Sequence, residues 1–170
     1  NRYDMAIDSD KQFCMGSYVF LWGQKQERTP TWYGMFLENG SKTETVDAMH
    51  FIWKGVWPEN RCPTIDSVFV DNKTAFDNIK IKAETTFGAQ VFCHDYQNDT
   101  ITITWEIMPE STTLGNGGDY EPRPDTLFKS SGTQNMQILA PKNPGFYRVF
   151  VYVADKQGNS ATANVPFTVY

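Results

Sequence analysis

The sequence predicts a mainly β protein, an antiparallel β-sandwich over residues 64–170 preceded by a small α/β segment over residues 1–55. Two observations carry this. After Pro63 the apolar residues recur with period two in β-branched runs separated by Asn, Asp and Gly turns, as expected of strands with one buried face. Before Trp57 helix and strand signals mix, and the two prolines of Trp57–Pro63 suit an extended connector, placed at 56–63.

In chain order, residues 2–12 read as a short helix, with Met5 and Ala6 on one side and acids on the other, ended by Gly16. The apolar run Tyr18–Trp22 reads as a buried strand that stops at Gly23 and opens into a loop of amides, charges and aromatics. Thr43–Trp53 reads as a helix capped by Thr43 or Thr45, with Val46, Met49, His50 and Trp53 at helical spacing and Gly55 as its stop. Helix, strand, rim loop and helix in this order match a turn and a half of an α/β barrel wall. In the sandwich, Ile79, Ile81 and Ala83 share one face. Ile101, Ile103, Trp105 and Ile107 alternate with Thr102, Thr104 and Glu106. Tyr147, Val149, Val151 and Val153 alternate with Phe146, Arg148, Phe150 and Tyr152, and Ala161, Ala163, Val165, Phe167 and Val169 close the set. Lys156–Asn159 is a good hairpin turn. Trp105, on a mid-domain strand, is positioned like the core Trp of immunoglobulin-type domains, without their cysteine pair.

The 170 residues hold one ordinary domain, or one with a small annex. A hydrophobic content of 40% suffices for a packed core. The net charge of −5 argues against a nucleic-acid partner, and no apolar run reaches membrane-spanning length. The chain starts at Asn1 with no signal peptide, as expected of a processed or excised piece of a longer parent. Its three cysteines, Cys14, Cys62 and Cys93, fit no zinc pattern. Buried reduced thiols are the favoured reading, and Cys14 with Cys62 is the candidate if one bridge forms. Cys93 and His94 are strand neighbours facing opposite ways, a poor nucleophile and base.

The run Cys93–Trp105 resembles the acidic turn and Trp strand of polycystic-kidney-disease-like and cadherin-like bacterial domains, and Gly145–Ala163 resembles their closing strand pair. The run Gly16–Gly34 resembles the last strand and loop of the barrel in glycoside hydrolases of the family-two type from gut Bacteroidetes. There a sandwich follows a connector similar to Trp57–Arg61. The resemblance implies a barrel remnant to about residue 55 with an appended sandwich. The acid/base and nucleophile carboxylates of a retaining hydrolase would lie on earlier barrel strands, outside this chain.

The resemblance places Trp22 in a sugar-stacking wall, with Gln24 and Gln26 as hydroxyl contacts and Trp32 as a further candidate platform. The competing readings have Trp22 cover its own strand, and Trp32 and Tyr33 pack under the helix carrying Trp53. Asp95, Asp99 and Asp155 can gather at one end of the sandwich and hold calcium, or serve as ordinary turn acids; no other cofactor is expected. Glu27 reads as an ion-pair partner of Lys25 or Arg28, and His50 as an interface residue. The irregular stretch Ser111–Gly132 either binds something or packs against the linker or parent. Phe150 and Tyr152, on the outer face, are either covered by the amino-terminal segment or form a glycan platform. That segment is too small for its own core and is expected to dock on the sandwich, or on a second copy as a homodimer, with Trp57 near the contact.

The functional expectation is therefore an accessory carboxyl-terminal region of a periplasmic or extracellular carbohydrate-active enzyme. It would support the missing barrel and contact glycan. The rival is a self-standing carbohydrate-binding or adhesion module.

Overall fold

The computed structural model of the protein describes residues 3–113, 115 and 119–170. Among the described residues nine strands and one α-helix follow one another as β1 (Lys42–Thr43), α1 (Glu44–Lys54), β2 (Thr64–Val70), β3 (Lys80–Ile81), β4 (Thr86–His94), β5 (Thr102–Pro109), β6 (Phe128–Gly132), β7 (Asn135–Leu139), β8 (Gly145–Ala154) and β9 (Asn159–Val169). They form a β-sandwich. One sheet runs β1-β9-β8-β5-β6, with β3 also on β9, and the other runs β2-β4-β7. The long pairings are antiparallel, while the two-residue strands β1 and β3 lie parallel to opposite ends of β9. The sheet is therefore mixed rather than purely antiparallel. Those two short strands cover an edge that β9 would otherwise offer to another chain.

The period-two runs fill the space between the sheets. Val70, Phe87, Val91 and Ile138 of one sheet meet Ile103, Trp105, Ile107, Val149, Val151, Val165 and Phe167 of the other in a continuous core. Trp105 is fully buried and its indole N–H donates to the Thr133 carbonyl at 3.0 Å. At the start of β8 the Tyr147 hydroxyl donates to the Asn143 carbonyl, four residues upstream, at 2.7 Å. A Trp on the third long strand and a tyrosine corner on the penultimate one are the internal marks of the immunoglobulin-type sandwich.

The amino-terminal segment departs from its expectation. A π-helical turn spans only Asp4–Asp8. No strand among the described residues pairs with Tyr18–Trp22, and Tyr18, Phe20 and Trp22 are exposed. A single strand–helix unit brings no neighbouring strand, so its backbone groups stay with water. There is no barrel wall here. Instead residues 28–43 lie across the outer face of the larger sheet, where Pro30, Pro124 and Phe150 border one small hollow. Met35 and Leu37 are buried, the Lys42 N–H donates to the Gly158 carbonyl, and β1 joins β9. Phe150 is 2% exposed, so it is covered rather than offered to glycan.

Helix α1 starts at Thr43 and ends at Gly55, whose left-handed φ of 73° returns its N–H to the Phe51 carbonyl. Thr43 spends its hydroxyl on the Met35 carbonyl rather than on the helix. The buried positions of α1 are Met49 and Asp47, while Trp53 is exposed. Asp47 accepts from Lys42 Nζ at 2.5 Å and from the Cys62 N–H at 2.6 Å, which ties strand, helix and connector at one carboxylate. Trp57 stacks on Phe51 at 4.6 Å, and the Arg61 guanidinium lies between Trp57 and Tyr96. No helix among the described residues is long and apolar enough to cross a membrane.

All three cysteines are unbridged. Cys62 is fully buried, and burial first, then the Asp47 charge, pushes its thiol up to about 12. A thiol-labelling reagent at neutral pH is expected to modify Cys14 and Cys93 in the folded protein and to reach Cys62 only on denaturation. Rapid native labelling of all three thiols would contradict this packing.

Candidate functional site

Of the four residues expected to contact sugar, Trp32 borders a groove. Its ring is 59% exposed and stacks on Tyr33 at 4.7 Å. Beside it an open groove of about 550 Å³ runs over β8 and β9, lined by Thr31, Glu110, Arg148, Thr162 and Asn164. Arg148 is held by Glu110 at 2.7 Å and donates to the Asn164 side-chain Oδ1 at 2.5 Å. The Thr162 hydroxyl is buried without a hydrogen-bond partner. Sequence reasoning missed these polar groups because they come from β8, β9 and the end of β5. Their only signal was their outward place in the alternation.

The other three are placed apart from the groove. Trp22 meets Phe36 edge-on at 5.4 Å and stacks over Trp53 at 6.3 Å. Gln24 donates to the Pro30 carbonyl at 3.1 Å and so holds its own loop. Both amide atoms of Gln26 are buried without a partner. Trp32 borders a smaller hollow with Thr43, Glu44 and Thr45 at the start of α1, while the Trp53 ring stacks on Trp22. Glu27 pairs with Lys25 at 3.0 Å, and His50 Nδ1 lies 2.9 Å from the Val56 carbonyl.

A second cleft, of about 250 Å³, lies between Pro30–Asn39 and the outer face of β5 and β8. At its floor Glu106 is fully buried, gripped at both oxygens by Arg123 at 2.9 and 3.0 Å, by Thr126 at 2.6 Å and by Tyr152 at 3.1 Å. Burial alone would raise this carboxyl. The hydrogen bonds from Thr126 and Arg123, with the charges of Arg123 and Lys129, outweigh it and hold the carboxyl below the usual range. Burial and the Glu106 charge push the Tyr152 hydroxyl up. Every polar arm of Glu106 is occupied, so the cluster is a pin rather than a reactive acid.

That pin fastens the stretch singled out as Ser111–Gly132. Its last five residues are β6, and Asn116, Gly117 and Gly118 lie outside the described residues. Glu121, buried in this stretch, accepts from the Arg28 N–H at 2.7 Å, which holds its carboxyl below the usual range. The loop thus clasps the amino-terminal segment.

Asp95, Asp99 and Asp155 do gather, with one carboxylate oxygen from each lying within 4.8 Å of the others. They come from the β4–β5 and β8–β9 turns at one end of the sandwich. Asn60 of the connector reaches the same cluster, donating to Asp99 Oδ2 at 2.7 Å and accepting from Asn159.

No protein-family model and no curated protein matches this chain. Among solved structures, a nucleoside hydrolase-related protein of Saccharophagus degradans associated with carbohydrate metabolism aligns at 16% identity and a TM-score of 0.44. The alignment covers 65% of this chain and 26% of that one, so this chain spans about a quarter of that protein. The soluble domain of PmoD from Methylocystis aligns at 14% identity and 0.38, over 68% of this chain and 95% of that one. The superoxide reductase (neelaredoxin) of Ignicoccus hospitalis aligns at 15% and 0.35, over 75% and 94%. All three score below 0.5 and carry no functional inference for this chain.

Proposed function

We propose that this chain is the accessory carboxyl-terminal region of a carbohydrate-active enzyme and that it contacts glycan in the groove beside Trp32. The observation that carries the reading is the pairing of an exposed indole face with a row of fixed polar groups. A sugar ring presents an apolar face to stack and hydroxyls to bond, and Trp32 with Arg148, Asn164 and Glu110 offers the complementary set. The similarity of Gly16–Gly34 to the end of a glycosidase barrel supports the carbohydrate context. Trp22 and Trp53 form an exposed aromatic pair away from the groove, assigned to the rest of the parent.

The test is affinity electrophoresis against a panel of soluble polysaccharides, with Trp fluorescence titration of any that retard the protein. At least one is expected to bind. Trp32→Ala is expected to weaken that binding roughly tenfold, equivalent to about 1.4 kcal/mol of stacking, and Trp22→Ala to leave it unchanged. Absence of binding across the panel, or equal loss in both variants, would sink the proposal.

A further inference from the structure

The geometry points to a calcium site formed by Asp95, Asp99, Asp155 and Asn60, which clamps the connector to the end of the sandwich where β2 and β9 begin. The two turns that supply the acids are built alike. Asp95-Tyr-Gln97-Asn-Asp99 and Asp155-Lys-Gln157-Gly-Asn159 share the pattern Asp-X-Gln-X-Asp/Asn. Asp95 Oδ1 accepts the N–H groups of Gln97 at 2.9 Å and Asp99 at 2.8 Å. Asp155 Oδ1 accepts those of Gln157 at 2.7 Å and Asn159 at 2.9 Å. Asp155 gives its second oxygen to the Asn159 side-chain amide at 2.5 Å, whereas Asp95 closes its turn with Oδ1 alone and keeps Oδ2.

That second oxygen is the decisive observation. Asp95 is 9% exposed, and its Oδ2 is buried with no hydrogen-bond partner. A buried carboxylate oxygen is costly unless a cation or donor meets it. Among the described residues no Lys or Arg forms an ion pair with Asp95, Asp99 or Asp155. Three carboxylates thus stand within 4.8 Å of one another, a spacing that repels unless positive charge sits between them.

The donor set selects the ion. It is all oxygen, which suits a hard cation rather than zinc or copper. Carboxylate oxygens within 4.8 Å of one another can share one ion at calcium–oxygen distances of roughly 2.4 Å, and carboxylates on two flexible turns suit calcium's loose geometry better than magnesium's strict octahedron. Asn60 Oδ1 accepts from the Asn159 side-chain amide in the structure; as a ligand it would add a neutral oxygen from the connector, and water would complete the six to eight ligands that calcium takes. The amides of Asn60 and Gln157 both reach Asp99 Oδ2, at 2.7 and 2.9 Å, and orient that carboxylate. Bound calcium would join three pieces distant in sequence, residue 60, the 95–99 turn and the 155–159 turn, and so fix the α/β segment on the sheet.

Calcium chloride titrated into chelator-stripped protein, followed by calorimetry and thermal melting, tests this. A saturable heat near one ion per chain is expected, with a rise in Tm of about 5–10 °C at roughly 100 times Kd. Asp95→Asn keeps the oxygen that closes the turn but removes a charge. This variant should lose the calcium-dependent rise while melting, stripped, at or above the stripped parent. Limited proteolysis within residues 56–63 should slow with calcium in the parent and not in the variant. The assignment is overturned by no saturable heat up to about 10 mM calcium, by an equal rise in Asp95→Asn, or by an equal rise with magnesium.

Discussion

Replacing Trp105 with alanine is expected to lower the stability of the sandwich by about 3–5 kcal/mol, among the largest effects for a single truncation here. The ring lies between the sheets with no exposed surface, beside Ile103, Ile107, Val149 and Val151 of the same core. Its Cδ1 would lie 3.4 Å from a Cβ placed on Gly132, so strand β6 closes directly over it. Removing it opens a cavity that a two-sheet packing cannot collapse into, and it orphans the Thr133 carbonyl. For a chain of this size the loss corresponds to a fall in Tm of roughly 6–20 °C. Trp105→Phe separates the two contributions, because it restores most of the volume but not the hydrogen bond. An alanine variant that melts within about 1 °C of the parent would show that the indole is not the centre of the core.

Trp105 was legible because the strands around it alternate without interruption, and period two leaves only one face for a buried Trp. The same logic placed the inward faces of β8 and β9. It did not reveal the tyrosine corner, since the bond from Tyr147 to the Asn143 carbonyl depends on a bend that no periodicity records. Helix α1 was legible from its spacing and from Gly55, but its buried face was not. Trp53 and His50 fit an apolar stripe, whereas the structure buries Asp47, because Lys42 and the Cys62 amide approach from 5 and 15 residues away and neutralise it.

The site divides in the same way. Asp95, Asp99 and Asp155 were found together because turn acids of one sandwich end are necessarily close. Tyr18–Trp22 misled because aromatic content imitates a strand, while a strand needs a partner and this run has none among the described residues. The polar row beside Trp32 and the burial of Glu106 were invisible for a shared reason. Alternation marks both as outward, and outward means exposed only when nothing lies on top. The 28–43 segment and the 119–126 stretch do lie on top, and neither carries regular hydrophobic spacing.

That covering layer makes Arg123→Ala the second large effect. Glu106 is gripped at both carboxylate oxygens by one guanidinium, whose Nε also meets Glu38 at 3.3 Å. Removing Arg123 leaves a fully buried carboxylate with Thr126, Tyr152 and the distant Lys129 at 3.8 Å, an uncompensated charge that costs about 3–5 kcal/mol. The sign with pH follows from Glu106. Its folded-state carboxyl lies below its unfolded value, so the stability it contributes is complete above the unfolded pKa of about 4.3 and is lost as pH falls through the folded value. In Arg123→Ala the restraint is gone and burial raises the same carboxyl, which takes up a proton and relieves the penalty. The difference in Tm between parent and variant should therefore be widest near pH 7 and shrink toward about pH 4. Glu106→Gln should cost less than Arg123→Ala at pH 7, since it leaves the charge on Arg123, whose side chain is 28% exposed and retains Glu38. A penalty for Arg123→Ala that stays constant with pH, or that Glu106→Gln matches, would mean that the loop is held by its packing and not by this ion pair.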